Sequence, residues 1–525
     1  MMKRRRTSQP GLFLFLTAFF LYCIASPGNL PGDTEIRWSV ARQFVRTHGF
    51  QIEDTVTTHY YATGIDGKRY SFWSLGQSVI LLPFAYLGLM LEEVFGLGAN
   101  LSDLVAQFLS SVLLFPAVGA LTVLLFFRVL LLLGYPTKSA ILTSAVFGFA
   151  TMHFHYTVFT HEQSQVALLL LFELWCMIKN QKTKRFMYRW LMCVATGICL
   201  SFRLSSAPEV FSLLIVAFFS EALANRNSSQ FTIIKKWLRA FLLGTGPFII
   251  LLGWYNLIRF GNIFESGYGI AAKTMFGGIG AFGSNPFYSL AGMLFSPGKS
   301  ILLYNPVFFL LPFCIYRFYQ GHKSIALAIY LAVIGNFIFN SFHTTWAGDY
   351  AWSCRYQASV LPFLTLPLII FFDKPHTMLI KTIGALIIGI SFVIQIASVT
   401  YNFNLEFVQN PNHCIIPDSY IWKWNQSHLV KRFDNIGRHI INQRDFRSVD
   451  VSKEEPRLLK TNREINDVKT AYSINFFPFK ALSRLAVPRV FYILFGLWLI
   501  CFFSLFVCAA RLFYVTCLLS KTREM

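Results

Sequence analysis

Apolar runs of about twenty residues, separated by short polar stretches, set the rhythm of this chain. Residues 11–25, 103–133, 139–157, 163–178, 190–204, 206–224, 240–257, 300–317, 324–341, 356–372, 382–399 and 490–516 read as membrane-crossing helices, about twelve in all. Lys and Arg gather in the loops at 134–138, 179–189, 225–239, 317–323 and 373–381, which places those loops inside. The short opposite loops hold most of the acids and Trp. Residues 73–96 are also apolar, but they begin Trp73-Ser74-Leu75-Gly76-Gln77 and contain Pro83 and Glu92-Glu93. Crossing the membrane there would put Arg128 and Lys138 outside and invert the charge bias, so this piece reads as an interfacial helix.

Three regions follow from this pattern. Residues 1–400 form a transmembrane region with a first outer loop at 26–102. Residues 401–487, charged and Asn-rich, form an exterior domain or long loop. Residues 488–525 form the last span and a cytoplasmic tail. Met1–Arg6 is basic and precedes a short apolar run, which reads as a signal anchor with the N-terminus inside and Asp33 outside, the alternative being a signal peptide cleaved near Ala25. Gly28, Pro31 and Gly32 break the first helix just beyond it. Asp33 and Thr34 then read as the N-cap of a new helix carrying Ile36, Val40 and Phe44.

Composition agrees with the pattern. The chain of 525 residues is 55% hydrophobic and 14% charged, which no soluble core could hide. The formal net charge of +21 raises nucleic acid as a partner. The basic clusters flank apolar runs, however, so anionic lipid headgroups account for them and nucleic acid is not expected. The sequence has no Cys-x-x-Cys, and Cys354 and Cys414, the two outside apolar runs, read as unrelated thiols. Nucleotide-binding and zinc-protease motifs are also lacking.

The side chains able to do chemistry fall on one side of this topology. Asp33, Glu35, Glu162, Arg203, Glu265, Asp349 and Arg355 all lie at or near the outer ends of apolar helices. Charge at a membrane edge usually faces a polar cavity or a partner. Each residue alone is equally well read as a helix cap or an interfacial ion pair. Together they suit glycosyl transfer from a lipid phosphate. That reaction needs a carboxylate to take the acceptor proton and cations to hold the leaving phosphate. Asp33 suits the first role, and Arg355, Arg203, Lys68 and Arg69 the second. Glu162 is a second carboxylate or an ion-pair partner of one of these cations. His161 and Tyr70 could meet phosphate or sugar, and the loop bearing Trp346 and Asp349 could stack on a sugar ring. A divalent cation between Asp33 and Glu35 lacks an adjacent third ligand, so no metal or other cofactor is expected.

These stretches, in this order, resemble the GT-C membrane glycosyltransferases. They are most similar to the group that holds dolichyl-phosphate-mannose protein mannosyltransferases and the lipid A aminoarabinose transferase. Gly32-Asp33-Thr34-Glu35 is similar to the family's first-loop acidic motif. Thr160-His161-Glu162 resembles its second acidic loop, and Phe202-Arg203-Leu204 its Arg hairpin, here without Pro. Residues 346–356, Trp-Ala-Gly-Asp-Tyr-Ala-Trp-Ser-Cys-Arg-Tyr, resemble its Trp-x-Gly…Arg-Tyr loop. Residues 67–76 resemble its juxtamembrane motif, with Trp73-Ser74-Leu75 replacing the usual Lys- and Pro-rich centre.

The resemblance implies an all-α polytopic GT-C bundle with outer juxtamembrane helices. It implies transfer of a sugar from a polyprenyl- or dolichyl-phosphate donor to a lipid, glycan or protein acceptor, with Asp33 as base. It places the protein in a bacterial inner membrane rather than the endoplasmic reticulum, with its site on the outer or lumenal face. A transporter or flippase, and a ligase or polymerase using diphosphate-linked oligosaccharide, remain the alternatives.

Overall fold

The computed structural model describes residues 2–53, 60–224, 229–275, 282–348, 351–403, 405–408, 418–442, 473–485 and 488–521. Helices make up most of it. The one sheet among the described residues is a minimal antiparallel hairpin that pairs Ala62 with Tyr70 and Thr63 with Arg69. Seven described helices are long and apolar enough to cross a membrane, among them Leu204–Ala224, Lys323–Ser341 and Met378–Thr400. Gln9–Ala25 and Phe186–Phe202 are apolar but shorter. The chain is therefore an all-α polytopic membrane protein.

The main core gathers Leu, Phe, Val and Ala from most of these helices. The first helix, Met2–Ala25, lies against Phe115–Leu132 on one side and the final helix, Pro488–Lys521, on another. The Trp498 indole N–H donates to the Ile24 carbonyl at 3.0 Å, across 474 residues of sequence. The helix Gly76–Glu93, the expected interfacial piece, packs mainly on Asp33–Thr47 and on Ala99–Leu109, and its first residue, Gly76, sits against Phe202 of Phe186–Phe202. Its Leu81 and Ala85 are buried, while Val79, Tyr86 and Met90 are exposed, so it is apolar on both a packed and an open face. His153 and His155 take no part in the exposed surface. Both are buried in the short helix His153–Val158, and His153 stacks on Phe147 at 4.5 Å.

One expectation about local structure fails. Asp33 and Thr34 do not cap the helix that follows them. Gly32 occupies the N-cap position with φ 61°, and Asp33 is the first helical residue of Asp33–Thr47. Glycine tolerates that left-handed turn, which leaves both side chains of the expected cap free to bond elsewhere. The helix still buries Ile36 and Val40 as its period requires.

In the described part of the segment 401–487, one buried cluster is a main point of attachment. Arg432 and Glu406 are both fully buried, and the Arg432 Nε lies 2.6 Å from the Glu406 carboxylate. Arg432 also donates to the carbonyls of Ala397, Ser398, Tyr401 and Asn402, satisfying the open end of Met378–Thr400. His428 bonds Glu406 at 2.9 Å and meets the Trp352 ring edge-on at 4.8 Å. The segment is thereby clamped to the loop that leads into Arg355. Burial opposes the charge on Glu406, but Arg432 and His428 outweigh it and hold its carboxyl well below the ordinary value of 4.5. A carboxyl depressed on folding contributes stability that is complete above its unfolded pKa. That contribution is lost as pH falls below the ordinary carboxylate range. Glu406→Gln should lower the melting temperature in detergent and flatten its decline below about pH 4.5. Arg432→Ala, which strands a buried carboxylate, should cost about 3–5 kcal/mol.

Candidate active site

Asp33 and Arg37 are four residues apart and so share one face of the helix Asp33–Thr47. Asp33 reaches Arg355, whose Nη1 lies 3.1 Å from Oδ2. Arg37 reaches Glu162, Nη2 to Oε2, at 2.9 Å. Arg37 is 1% exposed and its guanidinium stands 5.1 Å from the Trp73 ring centroid. Glu35, two positions on from Asp33, is on the exposed face of the same helix. The two acids of the first-loop motif therefore diverge and cannot share a cation.

Glu162 begins the helix Glu162–Thr183, and the turn before it is strained. Thr160 is fully buried and left-handed, φ 60°, which a β-branched residue adopts only when its surroundings enforce it. Here the enforcement is visible. The Thr160 carbonyl accepts from the Thr34 hydroxyl at 2.9 Å and from the Gln77 amide at 2.6 Å. Two helices thus grip one peptide and set His161 and Glu162 beside Asp33. Ligand atoms of Asp33, His161 and Glu162 all lie within 4.8 Å of one another.

Arg355 enters from the far side, at the start of the 3-10 segment Arg355–Val360. The loop before it is held by its backbone. The Lys299 ammonium donates to the carbonyls of Ala351 at 2.7 Å and Ser353 at 3.3 Å. The Tyr156 hydroxyl donates to the carbonyl of Trp352 at 2.6 Å. Gly348 turns this loop with φ 74°, and a Cβ there would stand 2.7 Å from Arg355 Cγ. The Tyr356 ring then takes two cations, Arg203 at 4.5 Å and Arg355 at 5.2 Å from its centroid. Arg203 comes from the break between Phe186–Phe202 and Leu204–Ser206, where its Nε donates to Ser205 Oγ at 2.5 Å.

The electrostatics of this group favour an anion. Burial pushes the Glu162 carboxyl up, but Arg37, Arg203 and Arg355 together hold it at about 2, so it stays ionised. Burial lowers His161 to about 4 and keeps it neutral at physiological pH. Three guanidiniums then face two carboxylates, each already paired with one of them. The donor set of Asp33, His161 and Glu162 resembles a metal site in type, but its charge opposes a dication and suits a phosphate.

Other candidates stand elsewhere. Lys68 and Arg69 line a second cleft of about 650 Å³ with Arg42, Arg46, Gln51 and Glu53, a lining that does not include Asp33, His161 or Glu162. Lys68 pairs with Asp66 at 3.4 Å, and the Tyr70 hydroxyl donates to Asp66 at 2.9 Å, because the hairpin folds these three onto each other. Trp346 is buried against Gly292, so its ring is packing rather than a platform for sugar. Asp349 and Cys414 lie outside the described residues. Arg37, Gln77 and Tyr356 went unassigned in the sequence. The four-residue spacing from Asp33 to Arg37 was the signal available for the first.

No protein-family model matches the chain, and no curated protein does. Among solved structures, ArnT from Cupriavidus metallidurans bound to undecaprenyl phosphate aligns with a TM-score of 0.48 at 14% identity, covering 96% of this chain and 77% of that one. The apo state of the same protein aligns with a TM-score of 0.46 at 14% identity, over 95% and 75%. Function is accordingly read from the residues themselves.

Two variants test the geometry. Arg37→Leu strands the Glu162 charge and should cost about 3–5 kcal/mol, seen as a lower melting temperature, whereas Arg37→Leu with Glu162→Leu should recover most of it. Gly348→Ala should displace Arg355 from Asp33 and cost about 1 kcal/mol or more, seen as a lower melting temperature of a protein that still folds.

Proposed function

We propose that this protein is a glycosyltransferase that moves a sugar from a polyprenyl- or dolichyl-phosphate donor to an acceptor hydroxyl at the outer or lumenal membrane face. One observation carries the reading: a carboxylate, Asp33, faces a phosphate-sized excess of guanidinium charge at the start of a helix that follows an apolar one. The donor phosphate binds Arg355 and Arg203, which neutralise it as Lys or Arg do in other phosphate sites. In doing so it competes with Asp33 for Arg355 and releases the carboxylate. Asp33 takes the proton of the acceptor hydroxyl, whose oxygen bonds to the anomeric carbon. The bond from that carbon to the phosphate oxygen breaks, and polyprenyl phosphate leaves with the electron pair. Glu162 stays ionised against Arg37 and fixes the neighbouring His161 rather than trading protons. No step requires a metal or another cofactor.

Transfer of radiolabelled sugar from polyprenyl-phosphate donors in membranes is the direct test. Asp33→Asn should lower transfer by about 10²–10⁴-fold at equal expression while still binding bare polyprenyl phosphate. Arg355→Ala should weaken that binding. Transfer undiminished in Asp33→Asn would remove the base from this mechanism, and lipid flipping without transfer would favour a transporter.

A further inference from the structure

Where the last helix meets the end of the first, two thiols come together. Cys23 lies two residues before the end of Met2–Ala25, and Cys501 lies within Pro488–Lys521. Cys501 packs against the small buried cluster of Cys23, Val112 and Phe477, and the two thiols stand in hydrogen-bond contact. Both are free thiols.

The surroundings hold this meeting in register. The Trp498 indole, which donates to the Ile24 carbonyl, is three residues from Cys501 and so leaves the same face of the last helix. Trp498 is stacked between Phe495 and Phe502, with ring planes 10° and 16° from its own, which leaves that face little freedom. On the other side Ser110–Leu114 is a π-helical turn, whose wider hydrogen-bond spacing opens carbonyls to side chains. The Cys23 thiol donates to the Val112 carbonyl at 3.0 Å, and the Ser26 hydroxyl lies 3.0 Å from the Ser111 hydroxyl. Cys23 is thereby fixed, and Trp498 brings Cys501 to it.

The two thiols differ in access. Cys23 is 1% exposed. Cys501 is half-buried, on a helix whose Ile500 and Phe503 face away from the protein. A reagent arriving from outside meets Cys501 first.

We infer that Cys23 and Cys501 form a disulfide site that ties the first helix to the last. The inference does not depend on the proposed transferase activity. The reaction is thiol–disulfide exchange with an external disulfide. Cys501 gives its proton to solvent and attacks one sulfur of that disulfide. The external S–S bond breaks, and one external thiolate leaves with the electron pair. Cys23 then loses its proton and attacks the Cys501 sulfur of the mixed disulfide, expelling the second external thiolate. The two protein thiols are oxidised by two electrons, and the external disulfide is reduced to two thiols, which take up the two protons. The new bond closes a loop of nearly the whole chain, the case in which a cross-link restricts the unfolded state most.

The test treats the full-length protein in membranes with dipyridyl disulfide, an apolar disulfide suited to a lipid-facing helix. The protein is then denatured in excess N-ethylmaleimide, and its peptides are mapped without reductant. The expected result is a peptide pair joining Cys23 to Cys501 within one chain, with the loss of both maleimide adducts, reversed by dithiothreitol. In Cys23→Ser the pyridyl group should stay on Cys501, because no second thiol is there to displace it. The wild-type map decides alone if that variant fails to fold. Recovery of both wild-type thiols as maleimide adducts overturns the site. So does a pyridyl group retained on wild-type Cys501 with Cys23 free, or either cysteine joined to a different one.

Discussion

The buried pair of Arg37 and Glu162 is the constraint on which the site's geometry depends. Neither charge could enter such an environment alone, because the desolvation cost of an unpaired buried ion far exceeds what packing returns. Together they fix the separation between the helix Asp33–Thr47 and the helix Glu162–Thr183. Everything nearby is measured from that distance. The strained peptide at Thr160, just before Glu162, is thereby brought within reach of Thr34, and Gln77 of Gly76–Glu93 grips it from a third helix. Asp33 and Arg37 leave the same helix face in parallel, one toward Arg355 and one toward Glu162.

A second support comes from a distant part of the chain. Arg432 closes the carbonyl end of Met378–Thr400, and His428 braces Trp352, so the segment 401–487 supports the loop that delivers Arg355. Lys299 and Tyr156 fasten the same loop from within the bundle. The loop that carries Arg355 is thus anchored through its main chain on both sides, which holds the guanidinium at a fixed place beside Asp33.

Much of this was legible in the sequence, for a physical reason. Apolar runs long enough to cross a membrane announce themselves by hydropathy, and the charges at their ends stand out against them. Asp33, His161, Glu162, Arg203 and Arg355 could therefore be singled out one by one, and the structure gathers them. Pairing was not legible. Lys68 and Arg69 read as phosphate candidates from their place on the predicted outer side and in the juxtamembrane motif, and the hairpin sets them at a different cleft from Asp33. Trp346 read as a sugar platform because it is aromatic in a polar loop, yet a glycine on another helix makes room to bury it. Asp33 read as a helix cap because acids usually cap, but Gly32 took that place. Arg37 looked like an ordinary charge on an amphipathic helix. Only the third dimension shows that its face is the buried one.

The contact between Trp498 and Ile24 joins the two ends of the chain, and it has a consequence for biogenesis. A ribosome adding 5–20 residues per second takes roughly 24 to 95 s to make the 474 residues between them. Through that interval the first helix is already in the bilayer, with one flank reserved for a neighbour not yet synthesised. The bundle closes like a ring whose clasp is made last, so a ribosome that stalls in the final helix leaves the clasp undone.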